Sequence, residues 1–84
     1  MKTRMIVTMR GPFAAEFGQA SPDRRTKIVG EVKSKLRASA PSVKVVGDIS
    51  YATRIIIEEA EVDRLRKGLK DMLVVDRDYG MDSL

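Results

Sequence analysis

Cysteine, histidine and tryptophan are missing from this sequence, and the first two absences each remove a class of chemistry. Without cysteine there are no disulfides, thiolate metal sites or thiol nucleophiles, and without histidine the commonest general base and metal ligand is gone. The expectation is a protein that is not an enzyme, with no cofactor and no metal. Apolar runs such as Ile55-Ile56-Ile57 fall far short of a membrane-spanning helix, so no membrane partner is expected. Nor does a basic start lead into an apolar signal core, because Met1-Lys2-Thr3-Arg4 runs straight into a short alternating segment. The chain is expected to be cytoplasmic if Met1 is the native start, and otherwise to have lost a leader.

What is present fits one small domain. A chain of 84 residues has room for a single core. At 43% hydrophobic and 33% charged residues it is composed like a folded, soluble protein rather than a disordered one. The formal charge of +4 arises from 16 basic and 12 acidic residues that are interspersed, which favours a solvated surface over a nucleic-acid footprint. The densest basic stretch, Arg24-Arg25-Thr26-Lys27 with Lys33, Lys35 and Arg37, falls in a predicted helix where such side chains face water.

Arg4 to Arg10 alternates, with Met5, Val7 and Met9 on one side, and stops at Gly11-Pro12, which predicts a first strand. Phe13 to Gly18 is too short and interrupted for a stable helix and reads as a loop whose two Phe rings cover the core. Ser21-Pro22-Asp23 is a helix start: a side-chain cap, a proline suited to the first turn and an acid at the positive dipole end. Ile28, Val29, Val32 and Leu36 then form an apolar stripe ending near Ala38, and Gly30 is expected to permit close approach to the sheet. Val43 to Ile49 and Thr53 to Ile57 read as a hairpin. Glu58 to Glu61 reads as the acidic first turn of a second helix carrying Val62, Leu65 and Leu69, and Met72 to Val75 as the last strand.

This order predicts an α+β, ferredoxin-like βαββαβ fold, a four-stranded antiparallel sheet with two helices on one face and right-handed crossovers. Residues 1–78 form the domain and residues 79–84 an aperiodic tail.

The run Lys44-Val45-Val46-Gly47-Asp48-Ile49-Ser50-Tyr51, the helix Glu61-Val62-Asp63-Arg64-Leu65-Arg66-Lys67 and the ending Leu73-Val74-Val75-Asp76-Arg77-Asp78 together resemble the prodomains of subtilisins and their free-standing relatives. The opening Met5-Ile6-Val7-Thr8-Met9-Arg10 is similar to the family's first strand, so about two thirds of the chain takes part. The chain departs from the family in its bulky third strand and in lacking a proline before the last one. The resemblance implies a propeptide-like inhibitor of a subtilisin-like serine protease, monomeric when free. Where the chain precedes a protease in its precursor, it implies a folding template as well. It also implies a docking mode in which the uncovered sheet face packs on two protease helices and the tail lies in the substrate groove like a product.

On that reading Asp76 and Asp78 cap helix N-termini of the protease, and Tyr79, Gly80, Met81, Asp82, Ser83 and Leu84 enter the groove. Leu84 fills the primary pocket and Met81 a second apolar one. Tyr51 is a further candidate anchor, although a Tyr beside a turn usually packs with its hydroxyl in water. Asp76-x-Asp78-x-Gly80-x-Asp82 looks superficially like a calcium loop but has neither an entering helix nor the closing glutamate. Two other readings share the topology. An RNA-binding module would need stacking aromatics on the central strands, where Met and Ile stand instead. A small-ligand regulatory module would place its ligand near Gly11-Pro12.

Overall fold

The computed structural model describes residues 1–77. Strand β1 (Lys2–Met9) is followed by helices α1 (Gly11–Gln19) and α2 (Pro22–Ser39). Strands β2 (Lys44–Val46) and β3 (Ala52–Glu58) come next, then a 3-10 turn (Glu59–Glu61), helix α3 (Val62–Leu69) and strand β4 (Leu73–Arg77). The sheet order is β2-β3-β1-β4 and every neighbouring pair is antiparallel. This is the ferredoxin-like arrangement expected from the order of elements, with α1 added.

The strand alternation sorts the side chains by face, since successive residues point to opposite sides of a sheet. Met5, Val7 and Met9 of β1, Thr53, Ile55 and Ile57 of β3, and Leu73 and Val75 of β4 are all buried on one face. Ile28, Val32 and Leu36 of α2 and Val62, Leu65 and Leu69 of α3 cover them and complete one core. Thr53, the one buried polar residue among those described, is satisfied locally. Its hydroxyl accepts from the Ser50 N–H at 3.1 Å and donates to the Ser50 carbonyl at 3.3 Å.

Helix α2 begins as its sequence requires. Ser21 accepts the Arg24 N–H at 3.2 Å, and Pro22 occupies the first turn. Gly30 lies on its exposed face with open space around it, so it makes no close approach to the sheet, contrary to expectation.

Phe13 to Gly18 forms α1 rather than a loop. The helix has no side-chain cap at Arg10, and its stability comes from tertiary contacts. Phe17 is buried and Phe13 half-buried against the core. Arg25 of α2 donates to the carbonyls of Phe17 (3.1 Å) and Gly18 (3.0 Å), satisfying acceptors at the C-terminal end of α1. The same guanidinium lies 5.3 Å from the Phe17 ring centre, and Arg24 pairs with Glu16. Two residues of the basic stretch therefore join α1 to α2 instead of simply facing water.

The second strand is shorter than Val43 to Ile49 because Gly47, at φ +82°, turns the chain out of extended geometry. Val43 and Ile49 still pack on the core from either side of β2. Glu58 closes β3 instead of opening the second helix, and β4 runs on to Arg77 rather than stopping at Val75.

Ser42 joins two distant junctions. Its N–H and hydroxyl donate to the Glu61 carboxylate, the hydroxyl at 2.7 Å, and the same hydroxyl accepts the Glu58 N–H at 3.0 Å. These hydrogen bonds hold the Glu61 carboxyl below the usual glutamate range.

Candidate functional site

The face of the sheet opposite the helices carries the surface that the family resemblance singles out. Cross-strand register places its residues in rows. Val46, Arg54, Ile6 and Asp76 lie side by side across the four strands, and Lys44, Ile56 and Arg4 form the next row. Ala52, Thr8 and Val74 make a third. Ile6, Val46, Ile56 and Val74 are half-buried, while Arg4, Arg54 and Asp76 are exposed. No described helix lies over this face, because α1, α2 and α3 all pack with the core on the other side. Apolar and polar residues alternate across this face, with Arg54 and Ile6 in the middle of the central row.

The register also settles how the bulky third strand is presented. Ile55 and Ile57 point into the core, so only Arg54 and Ile56 add bulk to the open face, beside Ala52. Among the described residues the open face has no aromatic, so the stacking platform that RNA-binding modules of this topology use is lacking.

The described end of β4 is held by side-chain bonds. The Arg77 guanidinium donates to the Glu59 carboxylate at 2.6 Å and to the Thr3 hydroxyl at 3.1 Å, joining the last described residue to the start of β1 and to the turn before α3. The hydrogen bond from Arg77 is the main cause that keeps the Glu59 carboxyl below its usual range.

Of the candidate residues, Asp76 stands on the open face in register with Ile6, exposed. Asp78, Tyr79, Gly80, Met81, Asp82, Ser83 and Leu84 lie outside the described residues. Tyr51 is not on the sheet face. It sits in the β2–β3 connection, its ring centre 5.1 Å from that of Phe17 and its side 48% exposed, so it lies over α1 at one end of the domain. Gly11 and Pro12 begin α1 instead of forming an open loop. The nearest cavity in sequence, about 230 Å³, is lined by Arg10, Arg66, Lys70, Leu73, Val74 and Val75.

Sequence reasoning missed the groove between α2 and β2. Two adjoining cavities of about 260 Å³ and 300 Å³ share Lys33 and Val45. The signal was available in the spacing of Val29, Lys33 and Arg37, which stand four residues apart along one helix face.

Among the described residues no group of His, Cys, Asp or Glu side chains is placed to hold a metal ion, and no helix is long and apolar enough to cross a membrane. Compared with protein-family models, with curated proteins and with solved structures, the chain matches none.

Proposed function

We propose that this domain binds and inhibits a subtilisin-like serine protease, docking through its open sheet face and delivering the segment after Arg77 into the substrate groove as a product-like peptide. The observation that carries the reading is the anchored end of β4. Arg77, bonded to Glu59 and Thr3, holds the end of β4 in place, and on this reading the residues after it are presented from that held end. A segment held at one end loses less freedom on binding than a free peptide, and an extended segment gains backbone hydrogen bonds by adding to strands of a groove. Asp76 is exposed on the open face, and on this reading it accepts from a helix N-terminus of the docked enzyme.

Leu84 and Met81 are the apolar anchors on this reading. Burial of each contributes roughly 1.5 to 3 kcal/mol, so removing both is expected to cost on the order of two to four decades in affinity. The test is inhibition of a panel of subtilisin-like enzymes by the intact chain and by a form lacking its last four residues. Intact chain inhibiting in the nanomolar to micromolar range, with the shortened form at least a hundredfold weaker, is the expected result. Equal potency of the two forms, or no inhibition of any enzyme in the panel, overturns the proposal.

A further inference from the structure

The two edges of the sheet are finished differently. At the β4 edge the Arg66 guanidinium donates to the Val75 carbonyl at 3.2 Å, so a side chain already occupies a main-chain acceptor there. At the β2 edge, Lys44 to Val46 has no neighbouring strand on its outer side and no side-chain hydrogen bond to its backbone among the described residues. An unpaired edge is a template for another extended chain.

Beside that edge runs the groove formed by the two cavities of about 260 Å³ and 300 Å³. Its apolar lining is Val29, Val43, Val45 and Ile49, all half-buried. Lys33, Arg37 and Lys44 stand along it, exposed and without an ion-pair partner among the described residues. Asp48, at the Gly47 end, is the one acid in the lining.

We infer that the β2 edge and the α2–β2 groove bind an extended acidic polypeptide segment, which adds to β2 as a fifth strand. The main chain of the segment pairs with β2, and its side chains on the helix side are apolar and acidic in turn, the apolar ones entering the valine-lined cavities and the carboxylates meeting Lys33 and Arg37. Polypeptide is favoured over nucleic acid because the groove offers strand pairing and aliphatic pockets but no aromatic on which a base would stack. Apart from Lys44, the groove lining does not belong to the open sheet face, and the binding measurement that tests it does not use protease inhibition.

The test uses the full chain and a labelled nine-residue peptide, Val-Thr-Glu-Thr-Val-Thr-Glu-Thr-Val, which presents valine and glutamate in turn on one strand face, with a counterpart bearing lysine for glutamate and an oligouridylate as controls. The acidic peptide is expected to bind in the micromolar range, more weakly as salt is raised, and to slow amide exchange at Lys44 to Val46. The double variant Lys33→Glu/Arg37→Glu should weaken it at least tenfold. Arg10→Glu/Lys70→Glu, an equal change of charge at the opposite edge, should weaken it less than threefold. Equal losses from the two double variants, unchanged exchange at β2, tighter binding of the oligouridylate, or no binding of the acidic peptide would each overturn the inference.

Discussion

Ile55 and Ile56 are adjacent and chemically identical, yet the sheet assigns them to opposite tasks. Ile55 faces α2 and α3 and is fully buried, while Ile56 faces away and is half-buried on the open side, between Lys44 and Arg4. The same side chain fills the core at one position and lies on the uncovered side at the next, because strand period alone decides which side it faces. The helix-covered side answers to packing density, and the open side carries the docking role in the proposed function.

The largest expected effect breaks that comparison at its core member. Ile55→Ala should cost about 2 to 5 kcal/mol of unfolding free energy by denaturant titration, from lost burial and the cavity left behind. Ile56→Ala should cost less than about 1 kcal/mol in the same measurement. Comparable losses at both positions would mean that the open side is covered in solution.

The contrast sharpens when inhibition is the readout. If the domain docks as proposed, Ile56→Asp should weaken protease inhibition at least tenfold while lowering stability less than Ile55→Ala does, since it replaces a half-buried apolar side chain of the docking face with a charge. A smaller effect is expected at the rim that separates the two sides: Gly47→Ala, which forces a side chain into positive φ, should cost about 1 kcal/mol by thermal or denaturant unfolding.

The smallest effect is electrostatic. The Glu59 and Glu61 carboxyls both titrate below their usual range when folded. Their contribution to stability is therefore complete above the ordinary glutamate range and is lost as pH falls through the depressed folded values. Glu61→Gln should flatten the acid limb of a stability-versus-pH curve, whereas Glu31→Gln on the exposed face of α2 should not. An unchanged limb in the first variant would show that Ser42 does not hold that carboxylate in solution.

Much of the helix-covered side was legible in the sequence, because local signals and tertiary demands agree there. The alternation of Met5, Val7 and Met9, the cap at Ser21 and the stripe of Ile28, Val32 and Leu36 all sit where pattern and propensity place them. Helix α1 was not legible. Its nine residues have no cap at Arg10 and depend on Phe17 burial and on Arg25 reaching back from α2, neither of which is a local property. The length of β2 was misjudged because the β-rich run continues past Gly47, where the backbone turns away.

The candidate site was legible only in part. Alternation assigns Ile6 and Ile56 to one side of the sheet once the register is known, but the register depends on pairings between distant segments. Tyr51 attracted attention as a turn-flanking aromatic, and its association with Phe17 needed the position of α1, which the sequence reading lacked. The groove beside β2 combines a helix face with an edge strand, and helical spacing alone offers only half of it.

The Ser42 hydroxyl has a consequence for cooperativity. By donating to Glu61 and accepting from Glu58, it fastens the end of the first strand-helix unit to the strand-to-helix junction of the second. Neither unit can fray at that junction without releasing the other, so the two halves of the duplicated topology should open as one event, and the amide protons of Ser42 and Glu58 should exchange at matching rates.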